Sequence, residues 1–483
     1  MISKDELLTG YPRATKTMAT DVAALRGTTA RQLVVLDDDP TGTQSVADLP
    51  VLNSWSVDDL AWALGTGAAA VYVMTNSRSL DPAEAERRNR EVVRAALAAA
   101  KGLGIEVDFV SRSDSTLRGH FPLEPHTIVE ELTAAGTAVD GIVVVPAFGD
   151  AGRITVGSVH YAGSDATGFV PVGETEFARD ATFGYRSSDL RAWVEEKSGG
   201  SIAASQVVAI TLDELRADPD AAVTKLVAAS GAVPIVVDIV EESDLRALAV
   251  ALLRAEASGK RFVHRVGPPF PRALIGQDVH PPLTAADVAA LGLGHTDRGG
   301  LIVVGSHVDL TTRQLDALRR RRRPTEFEID VAEVLGEGRD AHLADVVAQV
   351  AEALAEGNVV VRTTRTLVRG ADGADSLRIA RAVSDAVVTV VRRVLDVAPP
   401  RFVIAKGGIT SSDVAARGLE IGRAMVRGPM LPGIVSLWEP IMGPARGIPY
   451  IVFAGNVGNE ESLADVADTL STTTTTDNAR SHQ

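Results

Sequence analysis

The chain has 483 residues, 45% of them hydrophobic and 23% charged, with no cysteine and a net charge of −15. That length exceeds one ordinary core and points to two or more domains. The missing cysteine excludes disulfides, thiol nucleophiles and Cys-ligated zinc, and the acidic balance argues against a nucleic-acid partner.

Residues 1–31 read as an N-terminal extension. "MISKDELLTGYPRATKT" has no apolar signal-peptide core, and no later run reaches the roughly 18 apolar residues of a membrane helix. The chain is therefore expected to be cytoplasmic, with no membrane partner. From residue 32 short apolar runs alternate with amphipathic segments, the pattern of parallel α/β structure. Strands are expected at 33–36, 70–74, 107–110, 141–145, 207–210, 235–238 and 261–264. "PAEAERRNREVVRAALAAAKG" predicts a helix, with Pro82 at its first turn and Lys101-Gly102 at its stop. These elements make a first domain over 32–265.

Residues 266–299, rich in Pro and Gly, read as an interdomain linker. A second domain over 300–470 restarts the alternation, with strands expected at 301–304, 326–329, 359–362, 402–405, 433–437 and 450–453. Five arginines, Arg319 to Arg323, read as a solvated helix end, where cations suit the dipole. Residues 471–483, with a run of threonines, read as a disordered tail. The expected fold class is α/β: two domains, each a mostly parallel sheet flanked by helices, with an active-site cleft expected between them.

The chemistry gathers at strand ends, where open α/β sheets bind ligands. "LVVLDDDPTGT" brings Asp37, Asp38 and Asp39 to the end of the first strand. A turn with a helix cap would use one aspartate; three in a row repel one another, which favours a ligand-directed role. "TNSRSL" adds Arg78 at the next strand end, and "SRSDSTLRG" adds Arg112, Asp114, Ser115 and Arg118 at the third. Guanidinium groups grip carboxylates and phosphates in pairs of hydrogen bonds. Side by side, these turns suit a small, polyhydroxylated, anionic ligand. Arg153 and His160, after the fourth strand, are further candidates. In the second half the turns are glycine-rich: Gly305-Ser306, Gly407-Gly408 and Gly455 to Gly458. Glycines let backbone amides approach phosphates. No P-loop motif and no usable GxGxxG is present, so a different nucleotide-phosphate site is expected.

Taken in order, "DDPTG", "SRS", "DSTLRG", "PAF" with a following Gly-Arg, "KGGIT" and "GNVG" resemble the four-carbon acid sugar kinases over about residues 33 to 470. The resemblance implies an N-terminal domain that holds a sugar acid and a C-terminal domain that holds ATP. It implies ATP-dependent phosphorylation of the terminal (4-) hydroxyl of threonate, erythronate or 3-oxo-tetronate, with Mg2+. Carried over, Asp38, Asp39, Arg78, Asp114, Ser115, Arg118 and Arg153 are the substrate-binding candidates. Ser306, Gly407, Gly408, Ile409, Thr410, Gly455 and Asn456 are the ATP-binding ones. Asp39 and Asp114 are alternative general bases. Many members have an acidic residue where this chain has Ile409; Asp413 is the next carboxylate, and the metal ligands are unassigned. The acid's stereochemistry is left open, and a homodimer is the default assembly.

Two other readings compete. "LDDDPTG" also fits the D-x-D-x-T start of a haloacid-dehalogenase-type phosphatase, with Asp37 as nucleophile and Asp39 as its partner. A non-catalytic sugar-acid sensor would use the same crevice without consuming a nucleotide.

Overall fold

A computed structural model of the chain describes residues 1–27, 31–365, 368, 371 and 373–471. The chain divides into two units, Met1–Val279 and His280–Gln483. The division falls inside the 266–299 segment; the tail expected at 471–483 lies outside the described residues from 472 onward.

The first unit contains eleven strands among its described residues: β1 (Gln32–Asp37), β2 (Leu49–Leu52), β3 (Ala70–Met74), β4 (Val107–Arg112), β5 (Gly141–Val145), β6 (Arg153–Val156), β7 (Val159–Ser164), β8 (Gly168–Pro171), β9 (Val208–Ile210), β10 (Val233–Val237) and β11 (Phe262–Val266). Eight form a parallel sheet in the order β2-β3-β1-β4-β11-β5-β10-β9. The other three form a small antiparallel sheet, β6-β7-β8. β1 is buried at every position after Gln32, as its unbroken Leu-Val-Val-Leu run requires between two helical layers. One layer is built by the helices Val57–Gly65, Pro82–Leu103 and Leu123–Ala134, whose Leu60, Val92, Val93 and Ile128 pack on Val34, Val73 and Phe109. The helix from Pro82 starts as its sequence predicts: Asp81 caps it, accepting from Glu84 N at 3.0 Å, and Gly104 ends it at φ 68°. The N-terminal segment is tied down where Ile2 N donates to Phe169 O at 2.9 Å.

The second unit contains β12 (Leu301–Val304), β13 (Thr325–Ile329), β14 (Val359–Thr363), β15 (Val403–Lys406), β16 (Arg423–Leu431), β17 (Ile434–Pro440) and β18 (Tyr450–Phe453). Their order is β13-β14-β12-β15-β18-β17-β16; β13, β14, β12, β15 and β18 run parallel, and β17 and β16 pair antiparallel. The arginine run ends the helix Asp309–Arg322 and is knitted to acidic neighbours. Arg319 reaches Glu326 at 2.7 Å, and Arg321 reaches Asp465 at 2.7 Å and Asp468 at 2.5 Å. The run is thus a helix end paired with the Ser462–Ser471 helix. Among the described residues no helix is long and apolar enough to cross a membrane.

Four strands depart from the sequence reading, β2 and β6 to β8; β16 is a fifth. β2 carries a proline, the small sheet is short and glycine-punctuated, and β16 holds Gly428 at a register shift.

Candidate functional site

β1 lies between β3 and β4, so the three charged turns of the first unit share one rim. The three aspartates divide their work. Asp37 sits opposite Arg112 in the parallel register, and Arg112 Nη2 lies 2.9 Å from Asp37 Oδ1. Asp38 takes Arg78 in a fork: Nε to Oδ2 at 3.1 Å and Nη2 to Oδ1 at 2.5 Å. Asp39 accepts Thr41 N at 2.9 Å on one oxygen and Arg78 Nη1 at 3.1 Å on the other. Side-chain exposure rises from 0% at Asp37 through 2% at Asp38 to 26% at Asp39, so Asp39 is the one of the three open to a ligand. The repulsion of adjacent carboxylates is answered by two guanidinium groups.

Burial pushes the Asp37 carboxyl up to about 7, against the pull of Arg112. Burial also raises Asp39, but Arg78, Arg112 and the Thr41 hydrogen bonds outweigh it and hold Asp39 below the ordinary carboxylate value. Gly42 is required here, since a Cβ on it would stand 1.4 Å from Asp37 Oδ2 and 2.2 Å from Arg112 Nη2. Arg112, read from sequence as part of the local positive charge, is buried against Asp37.

The β3 turn folds over this end. Thr75 N and Oγ1 both donate to Asp37 O, at 2.9 and 2.7 Å, and Arg78 N donates to Asp38 O at 3.2 Å. Beneath it, the Ser77 hydroxyl donates to Glu124, a buried acid that burial raises to about 7. His120 Nε2 lies 3.1 Å from both Ser77 O and Leu80 O.

The β4 turn supplies Asp114. Its Oδ2 takes Arg118 Nε at 2.8 Å and the Thr116 hydroxyl. Its Oδ1 has Arg78 Nη1 at 3.8 Å, beyond hydrogen-bond distance. Burial opposes its ionisation, yet Arg78, Arg118 and Thr116 hold its pKa well below the ordinary range. Arg78 therefore touches or faces Asp38, Asp39 and Asp114 together. Ser115 is buried in the same turn. Arg118 and Arg153 each lie 5.4 Å from the Phe177 ring centroid, which places Arg153 beside this group. His160 is fully buried; its Nε2–H donates to Ser115 O at 2.8 Å and its Nδ1 lies 2.9 Å from the Thr155 hydroxyl. Burial drives it down to about 4, so it is a neutral support.

In the second unit the three glycine turns follow β12, β15 and β18, neighbours in the order β12-β15-β18. At Gly305 and Gly455 the packing leaves no room for a side chain. A Cβ on Gly305 would stand 2.2 Å from Thr410 Oγ1, and one on Gly455 would stand 2.6 Å from Ser306 Oγ. Gly407 has φ 129°, a conformation that suits glycine. The Thr311 hydroxyl lies 3.1 Å from Ser306 Oγ and 2.9 Å from Gly455 O, tying the first turn to the third. Gly408 starts a short helix, Gly408–Asp413, and Ile409 and Asn456 are exposed. Lys406, which the motif reading left out, is buried with Nζ donating to Ala454 O at 2.6 Å and lying 3.9 Å from the Phe453 ring centroid. Burial pushes it down to about 7. Arg365 Nη1 donates to Ser306 O at 2.5 Å.

Beside the turns is a cavity of about 500 Å³, lined by Gly305, Thr410 and Asp413 on one side and by Val331, Ile379 and Val383 among its apolar walls. The Asp413 carboxylate accepts from the Ser384 hydroxyl. Among the described residues no cluster of three or more His, Asp or Glu is placed to hold a metal ion.

Two family models match the chain: a Sugar-binding N-terminal domain over residues 33–274 and a Nucleotide-binding C-terminal domain over residues 301–463. A D-erythronate kinase of Heliobacterium modesticaldum is 28% identical over 424 residues, covering 83% of this chain and 87% of that protein. A D-threonate kinase of Salmonella typhimurium is 30% identical over 258 residues, covering 52% and 53%. Among solved structures, a Salmonella typhimurium LT2 protein described as a putative tRNA synthase has a TM-score of 0.66 at 19% identity, covering 90% of this chain and 98% of its own. A Haemophilus influenzae protein has a TM-score of 0.62 at 17% identity, covering 90% and 100%. The last two likenesses bear on the fold alone.

Proposed function

The chain belongs to the four-carbon acid sugar kinase family, and on that premise we propose that it uses ATP to phosphorylate the terminal (4-) hydroxyl of a four-carbon sugar acid such as threonate, erythronate or 3-oxo-tetronate. The observation that carries this reading is Asp114 Oδ1. Among the described residues it is a carboxylate oxygen with no hydrogen bond, in a cluster of guanidinium groups where an anionic polyol would be drawn and one of its hydroxyls could donate.

In this reading Asp114 orients the acceptor hydroxyl and takes its proton as the phosphoryl group arrives. Its low pKa suits a transfer whose loose transition state asks little proton abstraction beforehand. Asp39, whose two oxygens are both bonded, binds the substrate's hydroxyls and steadies Arg78. Asp38 acts through Arg78, to which it gives both oxygens. Ser115, Arg118 and Arg153 complete the substrate set, the two arginines, both beside Phe177, meeting the acid's carboxylate.

On the nucleotide side, Ser306, Gly407, Gly408, Thr410, Gly455 and Asn456 would cradle the phosphates. The apolar cavity beside them, with Ile409 at its edge, would take the adenosine; its volume lies in the usual range for such ligands. Mg2+ bound with ATP would spread the charge of the transferring group. Asp413 and the hydroxyls of Ser306 and Thr410 are oxygen donors of the kind it prefers.

A phosphatase using Asp37 and Asp39 fits poorly. Asp37 has no exposed surface and Gly42 closes over it, so a phosphoester has no line of attack. The kinase and the sensor separate in one assay: ADP release from Mg-ATP against D- and L-threonate, D- and L-erythronate and their 3-oxo forms. Release with one acid supports the kinase. Thermal stabilisation by an acid, without ADP release, points to the sensor.

A further inference from the structure

The turn that carries Asp114 and Arg118 is an improbable loop. Leu117 has φ 68° and Gly119 has φ 113°, and a Cβ on Gly119 would stand 3.0 Å from Asp38 Oδ2. Such a turn needs something to hold it, and three buried side chains distant in sequence do so through its carbonyl oxygens. Arg265, on β11, donates to Arg118 O at 3.0 Å, and its other terminal nitrogen lies 3.5 Å from Asp114 O. His160, on β7, donates to Ser115 O at 2.8 Å, and the Tyr185 hydroxyl donates to Thr116 O at 2.7 Å. Arg265 is 1% exposed and lies 5.2 Å from the Trp193 ring centroid, so its guanidinium is held from the buried side.

We propose that Arg265 is a positioning residue of the acceptor site, which with Tyr185 and His160 holds the 113–119 turn so that Asp114 and Arg118 face the sugar acid. The inference rests on the reading of Asp114 and Arg118 given above. The geometry has a second consequence. Carbonyl oxygens carry partial negative charge, and a turn that aimed them at the ligand would repel an anion. Arg265 gathers those of Asp114 and Arg118 on the buried side and places a fixed positive charge beneath the turn. A lysine would restore the charge but not the two-pronged span between carbonyls.

The test uses the full chain and the variants Arg265→Met, Arg265→Lys and Tyr185→Phe. Amide hydrogen exchange over 113–119 needs no substrate; it should quicken by about tenfold or more in Arg265→Met and less in Tyr185→Phe, while residues 405–410 stay unchanged. In steady-state kinetics the KM for the acid should rise between about tenfold and about a hundredfold in Arg265→Met, with the KM for ATP unmoved. Arg265→Lys should recover part of that loss. If Arg265→Met does not fold, Tyr185→Phe, which removes one hydroxyl, carries the same test at smaller amplitude. Unchanged exchange over 113–119, or the KM for ATP rising together with that for the acid, overturns the proposal. If the wild type phosphorylates no acid yet exchange responds as expected, positioning stands and the kinase reading fails. If acids turn over equally in every variant, positioning fails and the kinase reading stands.

Discussion

In the first unit the candidate site around Asp38 and Asp114 is made of charged side chains that hold one another; in the second, the candidate site around Gly305, Gly407 and Gly455 is made of closely packed backbone turns. In the first unit a single guanidinium, Arg78, is shared by three carboxylates, and Asp39 and Asp114 have further hydrogen-bond partners. In the second, turns approach so closely that a methyl group at Gly305 would meet Thr410 at 2.2 Å. The difference follows from the ligands proposed. A small acid with hydroxyls must be read by direction and charge, so its site uses rigid donors and acceptors. A polyphosphate needs many amides at short range, so its site uses glycine. The two regions should therefore fail differently: the first by loss of a charge partner, the second by crowding.

The largest effect is expected at Asp114. Asp114→Asn should lower kcat by about 10² to 10⁴, the range for removing a positioned proton acceptor, with the KM for ATP unchanged. Asp39→Asn keeps an oxygen for Thr41 and should cost only about tenfold, as loss of one charged hydrogen bond. Equal losses in the two variants would erase the distinction drawn from the bonding of their oxygens. Next is Gly305→Ala. It should raise the KM for ATP by about tenfold, as about 1–3 kcal/mol of overpacking implies, and leave the KM for the acid alone. A rise in both would show that the two regions are not independent.

A smaller, pH-dependent effect distinguishes the buried charge of the second unit. Lys406 is pushed from its ordinary 10.5 down to about 7, so the unfolded chain binds the extra proton between those values. Stability held back by this burial should rise with pH from about 7 towards 10.5. Urea unfolding of the wild type and Lys406→Met should show the wild type gaining on the variant across that window. A constant difference would contradict a desolvated lysine. The opposite sign belongs to the first unit: Asp114, held low, contributes stability that is lost as pH falls below the ordinary carboxylate range. The smallest effect is expected outside both sites. Arg322→Ala, in the exposed arginine run, should cost less than about 1 kcal/mol and change neither KM.

Much of this was legible in the sequence because it is local. Each parallel strand announces itself by an apolar run, and the charged or glycine-rich turn that follows must emerge at the strand's carboxyl end. Asp38, Arg78 and Asp114 could be grouped on that ground alone. What escaped was long-range. Arg265 lies 147 residues from the Arg118 carbonyl it holds, and no pattern within β11 says that its side chain turns inward. Glu124, Tyr185 and Lys406 are supports of the same kind. The missed strands failed for a different reason: β2 has a proline and β6 to β8 are short and partly exposed, so neither run length nor alternation marks them. The division of labour among Asp37, Asp38 and Asp39 also needed coordinates, because three identical side chains are separated only by what each one meets.

Phosphoryl transfer by this chain can be followed by phosphorus NMR during incubation with Mg-ATP and the panel of four-carbon acids. A phosphomonoester on the acid's terminal carbon should form in step with ADP. ADP with free inorganic phosphate and no ester, or release of phosphate from a preformed 4-phosphate without nucleotide, would contradict a sugar-acid kinase.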